Sequence, residues 1–180
     1  MSFQQPPGGH GAANPGSYGS TGPRPAELGD RFVARLIDGL VVGVPTIILA
    51  VIVNAVVNVV LPRFVEGYVN GVVQAALLTG AYVAYNYFFE TSSGQTIGKS
   101  VMRLKVVGPG GGTVTGAQSV RRNAFYAAAL LVAVPFLGGF LSTVAQVAAV
   151  VAIAVTIQKD PALRQGWHDR FASETYVSKI

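Results

Sequence analysis

From Gly39 to Leu61 the chain carries no charge over 23 positions, and fifteen of those positions are Leu, Ile or Val. As a helix this stretch rises roughly 34 Å, enough to cross a hydrocarbon core of about 30 Å. Fifteen such side chains favour insertion by roughly 5–9 kcal/mol, more than one carboxylate near the membrane edge costs. The stretch is therefore read as a membrane helix that begins near Arg31, and Asp38 enters the membrane with it. Arg31 and Asp38 lie seven residues apart, two turns along one helix face.

Composition agrees with a membrane chain. Charged residues make up 12% of 180 residues, and the mean hydropathy is +0.47. That length suits one membrane domain plus a tail. The net charge of +5 reports orientation first, because Lys and Arg gather in cytoplasmic loops; no nucleic-acid partner is expected. The absence of Cys excludes disulfides, thiolate metal sites and thiol catalysis. With His10 and His168 the only histidines, neither a metal cluster nor a cofactor is expected.

Residues 1–26 are rich in Pro, Gly, Ser and Gln and have no periodicity, so they read as a disordered cytoplasmic tail. Asp30 is the expected N-cap of a first helix over about 31–61. Its start, Arg31–Ile37, is amphipathic and suits the headgroup layer, and Pro45 lies inside it. Asn54 and Asn58 share a face and read as interhelical hydrogen-bonding groups in preference to an ion site. After the loop Pro62–Gly67 a second helix runs over about 68–89. Tyr82, Tyr85, Tyr87, Phe88 and Phe89 crowd its end, as an aromatic belt at the membrane–water boundary would.

The next stretch holds Gly94, Gly98, Lys99 and Ser100. This GxxxGKS spacing is one residue short of a phosphate-binding loop, and it follows a membrane helix instead of a strand. Met102, Leu104 and Val106 alternate with Arg103 and Lys105, which predicts a strand. The run Gly108–Gly112 turns the chain, and Thr113–Thr115 are expected to return as the second strand of a cytoplasmic β-hairpin. Lys99, Arg103 and Lys105 would then meet anionic lipid headgroups.

The last apolar region, Ala124–Ile157, is 34 residues without a charge. As one helix it would reach about 51 Å, too long for the membrane core unless strongly tilted. Pro135, Gly138 and Gly139 supply a break. Lys99, Arg103, Lys105, Arg121 and Arg122 precede the region, and Lys159, Arg164, Arg170 and Lys179 follow it. If both groups are cytoplasmic, an even number of passes separates them. The expected architecture is an all-α, four-helix transmembrane bundle over residues 27–177, with the last two helices at about 118–134 and 138–157. The competing arrangement is an interfacial helix from Gln118 to Val134 followed by one span. In the polar tail Trp167 suits the interface, and His168–Asp169 taken alone would be a solvated turn.

Three motifs in order resemble the RDD family of small membrane proteins. Arg31, Ala34, Ile37 and Asp38 match R-x-x-A-x-x-I-D. Gly94, Thr96, Gly98 and Lys99 match G-x-T-x-G-K. His168 and Asp169 match a C-terminal H-D pair. The chain departs from the family after Asp169, where Ser173, Glu174 and Thr175 follow Ala172 in place of Ala-Gly-Thr. The resemblance implies a membrane protein of the bacterial plasma membrane and a signature cluster of Arg31, Asp38 and Asp169, while the distribution of Lys and Arg puts both termini of a multi-pass chain in the cytoplasm. His168, Arg35, Gly94, Thr96, Gly98 and Lys99 are its candidate contributors. It implies no defined activity; transport of an ion or small solute is one expectation. A scaffold or accessory subunit, working as a homo-oligomer or with a membrane protein partner, is the alternative. No nucleophile–base pair stands out, so no enzyme is expected.

Overall fold

The computed structural model describes residues 23–180. The readings made for residues 1–22, including the tail and His10, lie outside the described residues. A long helix α1 (Leu28–Val60) is followed by α2 (Arg63–Ser92), a short α3 (Ile97–Val101) and strand β2 (Leu104–Val107). Then come α4 (Gly116–Asn123), a 3-10 segment (Ala124–Ala133), α5 (Gly138–Lys159), a short α6 (Trp167–Phe171) and strand β3 (Tyr176–Lys179). Strand β1 (Arg24–Pro25) precedes α1.

Hydrogen bonds fix how the long elements lie. At one end Asn70 Nδ2 donates to Asn58 Oδ1 at 2.8 Å; at the other Tyr85 Oη donates to Asp38 Oδ1 at 2.7 Å. α2 therefore runs antiparallel to α1. Tyr68 Oη donates to Ala133 O and Thr79 Oγ1 to Tyr126 O, so the 3-10 segment runs back along α2. Ser142 Oγ donates to Ala129 O, which sets α5 antiparallel in turn. α1 and α5 are long and apolar enough to cross a membrane, and most of their apolar side chains are exposed, as lipid-facing residues are. On α1 only Arg31, Ala34, Asp38, Val42 and Thr46 are buried, one narrow stripe. Pro45 cannot donate to the preceding turn; beside it Thr46 Oγ1 donates to Val42 O at 2.7 Å.

Several local expectations are corrected. Asp30 does not cap α1: the helix begins at Leu28 with Glu27 before it, and Asp30 pairs with Lys179 instead. The expected helix over 118–134 divides into α4 and the 3-10 segment. At about 2.0 Å per residue, ten residues of 3-10 helix reach about 20 Å, so the tighter winding covers length that an α-helix of ten residues would not. Phe136, at φ 64°, and Pro135 turn the chain before α5.

The hairpin is corrected too. β2 does not pair with Thr113–Thr115. It pairs antiparallel with β3, Val106 opposite Val177, and β3 pairs on its other side with β1, Arg24 opposite Lys179. Leu104, Val106 and Val177 share a small core with Ala26 and Ala34. That apolar face is what draws the C-terminal strand in, whereas Thr113–Thr115 has only Val114 as an apolar side chain. Thr115 instead caps α4, its side chain accepting from Gln118 N while Gln118 accepts from Thr115 N. Arg24–Ala26, assigned above to the tail, thus belongs to the folded domain.

Candidate functional site

The polar groups gather where α1 begins, α2 ends, and α3, α4 and α6 pack between them. Each arrives there for a local reason. α3 can lie against α1 because residue 98 is glycine: a Cβ there would collide with the Ala34 carbonyl and stand 2.9 Å from Asp38 Oδ1. Gly94, at φ 75°, makes the turn out of α2, and Thr96 caps α3 by accepting from Lys99 N. This close approach lets Asp38, fully buried, accept from Tyr85 Oη at 2.7 Å, Thr96 Oγ1 at 2.7 Å and Gly98 N at 2.8 Å. Its partners are all neutral.

The second carboxylate is Asp169, at the start of α6. Its Oδ2 accepts from Arg31 Nη1 at 3.0 Å and from Gly166 N at 3.1 Å. Its Oδ1 accepts from Arg122 Nε at 2.7 Å. Arg122 continues to a third carboxylate, Glu90, with Nη1 at 3.1 Å from Oε1. Lys99 Nζ reaches the same oxygen at 2.6 Å, while Ser119 Oγ and Asn123 Nδ2 donate to Glu90 Oε2. The result is one buried chain of alternating charge, Arg31–Asp169–Arg122–Glu90–Lys99, with a cation at each end. Isolated charges so buried would be prohibitively costly; pairing and hydrogen bonding offset that cost.

The charges shift one another's titration. Burial alone would raise the Asp169 carboxyl, but Arg122, His168, Arg31 and the Gly166 N–H outweigh it and hold it well below the usual carboxylate range. Burial lowers the Lys99 ammonium to about 8; Glu90 resists, and Arg122 and Arg35 add to the fall. Burial likewise lowers the His168 imidazole to about 3 against the pull of Asp169, so His168 is neutral at pH 7. Its Nε2 lies 3.5 Å from Asp169 Oδ1, and its buried Nδ1 has no partner among the described residues. Residue 166 is glycine in accord with this packing, since a Cβ there would stand 2.5 Å from that Nδ1.

Arg35 stands apart. Its Nη1 donates to Asn86 Oδ1 at 3.0 Å and Tyr126 Oη at 3.2 Å, and its Nη2 to Asn123 Oδ1 at 3.3 Å. None of these acceptors is charged. Arg35 and Tyr126 also line two cavities. One, of about 590 Å³, is walled by α1, α5 and the charged chain and includes Phe32, Phe125, Val150 and Ile157. The other, of about 180 Å³, is lined by Leu78, Thr79, Tyr82, Ala129 and Gln146 as well.

The structure thus brings Arg31 and Asp169 together and gives Asp38 a separate set of partners. Lys99 is not at the lipid headgroups but buried against Glu90, because α3 is drawn under α1; Arg103 remains exposed. His168–Asp169 is no solvated turn: both residues are buried, since α6 folds back on α5, with Trp167 N donating to Thr156 Oγ1. Of the aromatic belt, Tyr82 and Tyr85 turn inward. Tyr82 stacks on Tyr126 at 4.8 Å, while Tyr87 and Phe88 stay exposed. Glu90, Arg122, Asn86 and Asn123 were not foreseen. Glu90 closing the uncharged stretch 67–89 was a signal, since few other places in a chain with eight acidic residues put one beside so much apolar sequence.

No curated protein and no solved structure matches the chain. The pattern of the RDD family matches residues 25–173, which run from Pro25 in β1 to just past α6 and include every residue of the buried charge cluster. With Arg31, Asp38 and Asp169 all inside the matched region and all buried at one end of the helices, the chain belongs to the RDD family.

Proposed function

We propose that this RDD protein is a non-enzymatic, multi-pass protein of the bacterial plasma membrane that carries an ion or small solute across the bilayer. The observation that carries this reading is the pair of cavities divided by Arg35 and Tyr126. Polar side chains at membrane depth are costly unless they serve a path or a site. Here Arg35, Thr79, Tyr126 and Gln146 line the second cavity, farther along the helices than the charged chain. On this reading α2 and the 3-10 segment cross the membrane beside α1 and α5. The exposed Arg103, Arg121, Lys159 and Arg170 mark the cytoplasmic end, where they meet anionic headgroups.

The experiment is uptake into proteoliposomes holding the full chain, with a panel of inorganic ions and small organic solutes. Saturable uptake above protein-free vesicles supports transport. A second reading, a scaffold, is favoured by the exposed faces of α5, where Phe140, Val144, Val147 and Val151 could meet lipid, a second copy or another membrane protein. No flux for any solute, with a stable partner or dimer retained through purification, would replace transport with that reading.

A further inference from the structure

Among the described residues, four buried or largely buried cations, Arg31, Arg35, Lys99 and Arg122, face three buried carboxylates, Asp38, Glu90 and Asp169. One positive charge is in excess. Its position can be narrowed. Lys99 is held by Glu90, and Arg122 by both Glu90 and Asp169. Arg31 shares Asp169 with Arg122, and its buried Nη2 has no partner among the described residues. Arg35 has only neutral acceptors. Arg31 and Arg35 lie one turn apart on α1, so their side chains are neighbours. Both line the cavity of about 590 Å³.

Lys99, Arg122, Tyr126 and His168 also line that cavity, but most of its remaining wall is apolar. Phe32 and Ile157 stand at its walls with Phe125, Val150 and Ile153. A bare inorganic anion would leave those surfaces empty, and a neutral apolar ligand would leave the excess charge unmatched. One ligand chemistry satisfies both: a single negative charge on a planar carboxylate, carried by an apolar body. Guanidinium groups bind carboxylates with two parallel hydrogen bonds, and a low-dielectric site strengthens them. We propose that the cavity between α1 and α5 binds a monovalent organic carboxylate, its charge held by Arg35 with Arg31 one turn away, and its apolar body lying against Phe32, Phe125 and Ile157. This deepens the transport reading by naming a substrate class, and it rests on that reading only for what happens after binding. The carboxylate can come from the water, as a small aromatic acid, or from the bilayer, as a fatty acid.

The test is equilibrium binding of radiolabelled benzoate and, separately, oleate to the full chain in phosphatidylcholine nanodiscs. Two variants accompany the wild type. Arg35→Gln removes the cation. Asn86→Asp keeps Arg35 but sets a carboxylate beside it, 3.0 Å away in the present geometry, and so occupies the charge internally. Saturable binding of benzoate or oleate, weakened at least tenfold in both variants while each keeps a cooperative thermal transition, is expected. If Arg35→Gln loses its transition, Asn86→Asp alone decides. Tighter benzoate identifies an aqueous source, and tighter oleate a membrane source. Undiminished binding in Asn86→Asp, or competition by benzyl alcohol as effective as that by benzoate, overturns the site. So does the absence of saturable binding of either acid. Carboxylate binding without flux in proteoliposomes overturns transport and leaves the site standing; flux of a cation without carboxylate binding does the reverse.

Discussion

Asp169 serves two cations and Arg31 is served by one carboxylate, and that asymmetry predicts an order of effects. Asp169→Ala leaves Arg31 and Arg122 facing each other across a buried gap, and a loss of about 3–5 kcal/mol is expected from breaking a buried pair. Arg31→Ala leaves Asp169 still held by Arg122, so it costs less. The double variant removes the unpaired Arg31 along with its partner. Its loss should fall short of the sum of the singles by about 0.5–3 kcal/mol, measured as thermal stability in detergent. Additive losses would mean the pair is not coupled. Acid should act on the same end of the molecule. Between pH 6.5 and about 3 the unfolded chain binds a proton at His168 that the folded chain does not, so stability falls as pH drops through that window. Asp169, depressed when folded, adds its own loss below the usual carboxylate range. In His168→Phe the decline should begin only near pH 4. A decline still starting near pH 6.5 in that variant would assign the acid sensitivity to another group.

At the scale of elements, the sequence made the long helices legible because their signal is local: uncharged length, and Pro135 with Gly138 and Gly139 at a break. The small sheet was half legible. The alternation at Leu104 and Val106 announced a strand, but its partner lies more than seventy positions on, at Tyr176–Lys179, and no turn chemistry points there. The motif glycines were legible as a pattern and opaque as physics. Only the packed structure explains Gly98, because the obstacle is the Ala34 carbonyl on another helix. Gly98→Ala must push α3 away from α1 and so lengthen the Thr96 and Gly98 hydrogen bonds to Asp38. A loss of about 1–3 kcal/mol is expected, the usual cost of overpacking, and Asp38→Asn should remove less stability in that background than in the wild type. Wild-type stability in Gly98→Ala would show that α3 tolerates the displacement, and the glycine would need another explanation.

The whole molecule carries a constraint that charge counting reaches only indirectly. Arg24 and Lys179 stand opposite each other in neighbouring strands, so the two ends of the folded domain lie on one side of any membrane it crosses. On the transport reading proposed above, the passes between them are therefore even in number. α2 also joins the Asn58–Asn70 end to the end that holds Glu90. At 30 residues it rises about 45 Å, enough to traverse the same thickness as α1. If α1 and α5 cross, α2 and the 3-10 segment are carried across with them, which makes four passes and puts Pro62 and Phe136 on the far side. The chain has no cysteine, so single cysteines report without background. Glu27→Cys, Arg121→Cys and Ile180→Cys, all exposed positions, should react with a membrane-impermeant maleimide only from the cytoplasmic face. Pro62→Cys and Phe136→Cys should react only from the outer face. Labelling of Phe136→Cys and Ile180→Cys from the same face would mean that α5 does not cross. Labelling of Pro62→Cys and Arg121→Cys from the same face would mean that α2 does not, and the buried charge chain would then lie in a domain resting on the bilayer instead of within it.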